Sequence, residues 1–250
     1  MNPIIEIFVL IVVGFIAGAI NTMAGGGSLL SLPILIFLGL PPNVANATNR
    51  IAILFQNVFT TAGFKSKGVI TFPFSIYVGI SALFGSILGA QIAVDINGET
   101  FNKILAIIMV LVVVFMFFKS KNKQLNLVEK TTGKSLWFSI FLFFFVGVYG
   151  GFIQAGVGFI MLLILSSVNN FSLVKSNAIK VTVALIYTFA AVAVFAYNDK
   201  INWKIGLILA IGNAAGGWFA SRWSVNKGDN LIQKFLIVMV VIMAIKLWFF

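Results

Sequence analysis

Cysteine and histidine are both missing from the 250 residues. Without cysteine there is no disulfide framework and no thiolate metal site; without histidine there is no imidazole base, ligand or pH sensor near neutrality. Carboxylates are nearly as scarce. Glu6, Asp95, Glu99, Glu129, Asp199 and Asp229 are the whole set, and each falls at or near the end of an apolar segment. None sits mid-segment to relay protons or hold a sodium ion, none is paired for glycosidic or metal-assisted chemistry, and no Walker phosphate loop occurs. Enzymatic readings, a lipid-modifying enzyme among them, lack their reagents, and no catalytic residue, metal ligand or cofactor is expected.

Charge of either sign is thin. Only 9% of residues are charged and 60% are hydrophobic, whereas soluble domains carry about 25% charge. This is the composition of an all-α polytopic membrane protein. A helix needs about 20 apolar residues to cross the ~30 Å hydrocarbon core, several runs reach that length, and the ten-residue alternation of a barrel strand does not occur. The net charge of +11 would point to nucleic acid in a soluble chain. Here the basic residues gather in loops between apolar runs, so membrane orientation explains them and no nucleic-acid partner is needed. The N-terminal MNPIIEIFVLIVVGFIAG has no basic region ahead of its apolar run and reads as a retained span.

Apolar segments fall at about 4–23, 28–40, 47–63, 70–94 and 104–118, then at 136–153, 157–168, 178–197, 205–221 and 235–250. A polar linker carrying Lys119, Lys121, Lys123, Lys130 and Lys134 against Glu129 separates the two sets. The expected organisation is a first transmembrane repeat at 1–118, a basic cytoplasmic linker at 119–134 and a second repeat at 135–250. The linker serves as an orientation signal, and its charge also suits anionic lipid headgroups.

The two sets resemble one another. GFIAGAIN from Gly14 matches GVYGGFIQ from Gly147, 133 residues later; NVANATNR, ending at Arg50, matches LVKSNAIK, ending at Lys180, 130 later; Gly79, Gly85 and Gly89 meet Gly206, Gly212 and Gly216, 127 later. Three blocks in the same order favour duplication over coincidence. Charge favours inverted over parallel copies. If 4–40 and 136–168 are each a hairpin broken at its glycines, the loops holding Lys65, Lys67, Lys175, Arg222, Lys227 and Lys234 join the linker inside. Only Lys103, Lys200 and Lys204 then lie in outside loops, with both termini outside.

Candidate site residues come in three layers. A helix starting within the membrane presents unpaired N–H groups and the positive end of its dipole, which suits an anion. Gly25, Gly26 and Gly27 allow close backbone approach and Ser28 is placed to cap or to donate a hydroxyl; Gly156 and Gly158 occupy the matching place. Close helix packing explains such glycines equally simply. Arg50 and Lys180 each lie just inside an apolar segment, with Asn49 and Asn177 close by. An intramembrane cation is a functional hypothesis by default, with snorkelling to the interface the alternative. Asn21 and Gln154, matched by the repeat, each stand about a turn before a break; Gln56, Asn57, Gln91 and Asn213 read as structural amides.

These residues resemble those of the sulfite exporter TauE/SafE family. The specific part is GFIAGAINTMAGGGSLLSLPILIFLGLPPNVANATNR in the first half and its echo GVYGGFIQAGVGF with SNAIK in the second. The resemblance implies a multi-pass plasma-membrane permease of two related halves, moving sulfite, organosulfonates or similar small anions. The second copy departs from the pattern: Gln154 replaces a small residue, the glycine run thins to Gly156 and Gly158, and no proline answers Pro33. The expected function is a secondary carrier or facilitator, with an anion channel as the alternative. The expected partners are the small anion and surrounding lipid, and a homodimer is the oligomer that base rates suggest.

Overall fold

The computed structural model describes residues 3–101, 103, 104, 107, 128–229, 232 and 234. The segment expected at 235–250, almost all of that at 104–118, and Lys119, Lys121 and Lys123 of the linker lie outside the described residues. Eight helices are delimited among the described residues: α1 Pro3–Met23, α2 Ser28–Phe37, α3 Pro42–Lys65, α4 Phe74–Asp95, α5 Gly133–Phe152, α6 Val157–Ser167, α7 Leu173–Tyr197 and α8 Trp203–Lys227.

Helix starts follow local chemistry. Pro42 opens α3, where a missing N–H costs nothing. Ser172 caps α7 by accepting from Lys175 N at 3.2 Å, and Asn202 caps α8 by accepting from Ile205 N at 3.1 Å. The Asp229 carboxylate accepts from the Leu173 and Val174 N–H groups at 2.9 and 2.8 Å, setting an anion on the positive end of α7. Polar residues near these starts mislead a purely apolar reading. Helices α3 and α7 begin at 42 and 173 rather than at the expected 47 and 178, because Asn43, Asn46, Ser176 and Asn177 are helical as well as polar.

Among the described residues four helices are long and apolar enough to cross a membrane: α1 over Ile4–Met23, α4, α5 and α7. By contrast α2 and α6 have 10 and 11 residues, about half the length that the hydrocarbon core demands. Large apolar side chains such as Phe84, Phe141, Phe189 and Ile211 are exposed on the helices, as lipid surroundings permit.

Each short helix follows a long one and folds back. Gly27 lies on Ala17, and further along α2 Leu35 shares a core cluster with Leu10 and Val13 of α1. Across the molecule α3 and α7 run antiparallel: Arg50 near the start of α3 meets Phe195 near the end of α7, while Phe64 at the other end of α3 packs with Ala178 and Val181.

Helices of one half are packed most closely on helices of the other. Cβ atoms added at Gly14, Gly18, Gly212 and Gly216 would lie within 2.5 Å of the facing backbone in the α1–α8 pair. Gly85, Gly89, Gly147 and Gly151 stand in the same relation in the α4–α5 pair. Backbones this close exchange dispersion contacts that side chains would forbid. The α1–α8 contact of Gly14 with Leu209 recurs, at the sequence offsets given above, as the α4–α5 contact of Gly147 with Ala82.

A paired substitution tests this packing. A Cβ on Gly147 falls 2.0 Å from the Ala82 carbonyl oxygen, whereas one on Gly79 meets first the far end of Ile186. Both positions are helical, so the intrinsic gain of alanine, about 1 kcal/mol, is the same. Gly147→Ala is expected to lower the thermal midpoint in detergent by several degrees and Gly79→Ala to leave it near wild type. Equal losses would contradict the backbone contact.

Candidate functional site

Two helix breaks meet near the centre of the molecule. The first separates α1 from α2 at 24–27, and the second separates α5 from α6 at 153–156. Left-handed backbone makes both turns: Gly25 has φ +87° in the first, Gln154 and Gly156 have φ +68° and +76° in the second. The conformation is free for glycine but strained for glutamine. In the second break the Tyr149 hydroxyl donates to the Ala155 carbonyl.

At the meeting point Gly25 faces Gly158, its counterpart 133 residues on, so closely that a Cβ on either would lie 2.4 or 2.3 Å from the other's Cα. Gly26 lies under the Phe159 ring and Gly27 against the Ala17 carbonyl. The neighbours of the glycine run are thus protein atoms, and Ala24, Leu29, Leu32, Ile153, Ala155 and Phe159 form a buried cluster around it. Ser28 is the first residue of α2 and does not cap it: Gly27 holds that position without a side-chain bond, and the Ser28 hydroxyl accepts from Asn49 Nδ2 at 3.3 Å.

Both candidate cations are buried, Arg50 at 0% and Lys180 at 3% exposure, so neither snorkels to an interface. Each reaches from its own half to the C-terminal end of the broken helix of the other half. Arg50 Nη1 donates to Gly150 O at 2.7 Å and to Gln154 Oε1 at 3.1 Å, and Nη2 donates to Gly151 O at 2.6 Å. Lys180 Nζ donates to Asn21 O and Thr22 O, both at 2.9 Å, and to Asn177 Oδ1 at 2.5 Å. The last carbonyls of a helix have no partner within it and form the negative end of its dipole. A cation placed there satisfies both needs.

An amide accompanies each cation. Asn177 Nδ2 donates to Met23 O at 3.1 Å, and Asn46 Nδ2 donates to Phe152 O at 2.9 Å. Asn46 was missed in the sequence, although it stands four residues before Arg50 and so shares its helix face. Asn49 instead faces α2, accepting from Ser31 Oγ at 2.7 Å and donating to Ser28. Asn21 is helical, in the last turn of α1, whereas Gln154 lies within its break. Asn21 Nδ2 donates to Gln56 Oε1 at 3.0 Å, and Gln56 Nε2 donates to Thr22 Oγ1 at 3.3 Å.

Among the described residues no carboxylate pairs with either cation. The ion pairs among the described residues are Lys103–Glu99 and Lys175–Glu129, both on partly or fully exposed side chains. The breaks therefore hold two uncompensated positive charges, with the positive ends of α2 and α6 beginning beside them. Tyr187, also missed, is fully buried against Gly150; its hydroxyl faces Gln154 and Thr188 without a hydrogen bond of ordinary geometry. It stands seven residues after Lys180, two turns along the same face of α7.

A family model described as sulfite exporter TauE/SafE matches residues 10–247. Among curated proteins, the chain is 25% identical to the probable membrane transporter protein ORF9 of Sinorhizobium sp over 95% of this chain and 90% of that one. It is 27% identical to a probable membrane transporter protein of Haemophilus influenzae over 96% and 93%. It is 25% identical to the probable membrane transporter protein YfcA of Escherichia coli K12 over 96% and 88%. No solved structure matches.

Removing a cation leaves several buried carbonyls without partners, at ~1–3 kcal/mol each. Arg50→Ala is accordingly expected to cost the largest loss of thermal midpoint in detergent, and Asn46→Ala a smaller one, near 1 kcal/mol in scale. Lys65→Ala, at an exposed position, is expected to cost nothing measurable. An Arg50→Ala midpoint equal to that of Lys65→Ala would contradict the bonding described.

Proposed function

This chain is a membrane transporter belonging to the sulfite exporter TauE/SafE family, and we propose that it moves a small anion of the sulfite or organosulfonate class. The observation that carries the reading is the pair of buried cations, one from each half, at helix breaks that contain no carboxylate partner. Burying such charge is expensive, and evolution retains it in membranes chiefly where it serves a path or a ligand. The guest sits between the halves, in the field of Arg50, Lys180 and the starts of α2 and α6.

The halves are inverted copies that rock against one another around this place. The antiparallel run of the matching helices α3 and α7 and the reciprocal glycine contacts support that arrangement. In a plasma membrane with an inside-negative potential, export of each negative charge is favoured by about 2.3 kcal/mol per 100 mV. Export then needs no obligatory pump, consistent with the lack of an intramembrane acid in the sequence.

The test is uptake into proteoliposomes of labelled sulfite, sulfoacetate and sulfate beside uncharged solutes and cations. Saturable anion flux that is accelerated by anion on the opposite side is expected. Transport of neutral solutes or cations alone would overturn the reading, and non-saturating flux without counter-transport would replace the carrier with a channel.

A further inference from the structure

The two cations are not equivalent. An ammonium has three donors, and those of Lys180 are all committed, to Asn21 O, Thr22 O and Asn177 Oδ1. A guanidinium has five, and Arg50 commits three, two from Nη1 and one from Nη2. Its Nε–H is buried without a partner, and Nη2 commits one of its two N–H groups. Nε and Nη2 form a single edge of the guanidinium, whose parallel donors match two oxygens of a carboxylate, sulfonate or sulfite. Lys180 offers a guest charge but no bond.

A second buried donor, without a hydrogen bond of ordinary geometry, lies near the acceptors of Arg50. Gly150, whose carbonyl takes Arg50 Nη1, also carries the Tyr187 ring, and its absent Cβ would lie 3.2 Å from the Tyr187 hydroxyl. Gln154, the other acceptor of Arg50 Nη1, faces that hydroxyl as well. Neither Arg50 nor Tyr187 is measurably exposed, so in this conformation the place is closed to both sides. At the equivalent position of the first half, 130 residues earlier, stands Asn57. It too is fully buried, but an amide lacks the geometry of a phenol hydroxyl on an arginine edge.

Resting on the small-anion reading above, we propose that the oxyanion head docks one-sidedly, on the Nε–Nη2 edge of Arg50 and the hydroxyl of Tyr187. Burial with these donors unpaired is unfavourable; an oxyanion that accepts from both removes the penalty and gains two charge-assisted bonds. Selection then falls on anions with two or more oxygens on one centre, and halides bind more weakly.

Tyr187→Phe tests the docking in the full chain reconstituted in proteoliposomes, with sulfite as the probe. A structural role predicts an unchanged KM and an equal or higher thermal midpoint, because the hydroxyl has no hydrogen bond of ordinary geometry to lose. The docking predicts a KM for sulfite raised about 10- to 100-fold, the scale of one hydrogen bond to a charged group, with the midpoint not lowered. Arg50→Lys is the second variant. It keeps the charge, but its three donors are all taken by the acceptors of Arg50, so sulfite KM is expected to rise at least as far. Wild-type KM in a folded Tyr187→Phe or Arg50→Lys protein would overturn the docking and leave the anion reading intact. A wild-type protein that moves none of the oxyanions would overturn both.

Discussion

A cation from one half holding the carbonyl end of a broken helix in the other is the interaction on which this molecule depends. A helix that stops inside a membrane leaves its last carbonyls without water to satisfy them. Arg50 with Asn46 serves α5, and Lys180 with Asn177 serves α1. Each interaction crosses between the halves, so neither half completes its own break. The glycine contacts of the α1–α8 and α4–α5 pairs bring the halves near enough for the side chains to reach.

The same arrangement couples structure to function. The helix ends supply only partial charge, about half an elementary charge each, against a full positive charge from each cation. The remainder is positive, lies where the two breaks touch, and is not offset by a carboxylate among the described residues. A fold stabilised by arginine and lysine at these places therefore carries the charge that the proposed negative guest would need. The asymmetry between a fork-shaped guanidinium and a compact ammonium makes the two sides chemically different although they are related in position.

Much of the architecture was legible in the sequence because apolar run length reports helices directly in a membrane protein. Helices α3, α7 and α8 outrun the apolar segments where polar residues such as Asn43, Ser176 and Lys227 continue a helix, whereas α2 ends at Phe37 and α4 begins at Phe74, inside the segments expected for them. The breaks were visible as Gly25–Gly27 and Gly156, and Arg50 and Lys180 as charges in apolar surroundings. What could not be read was direction. Spacing placed Asn49 beside Arg50, yet one residue is 100° around a helix, so Asn49 serves α2 while Asn46, a full turn away, shares the task of Arg50. Tyr187 was invisible for a different reason: a tyrosine in a span is ordinary until its hydroxyl is seen to be buried against Gly150, whose carbonyl holds the Arg50 guanidinium.

Closeness of backbone also changes how the glycines are understood. Gly25 and Gly158 are needed because two chains touch there, and Gly27 because α2 folds back on α1. They shape the place where charge accumulates rather than offering bare backbone at their own positions. Structure determination of the protein with sulfoacetate bound would test the central claim most directly. Density for the sulfonate against Arg50, between the two helix breaks, is the predicted result; a sulfonate bound only among the loops, with Arg50 and Lys180 remote from it, would contradict it.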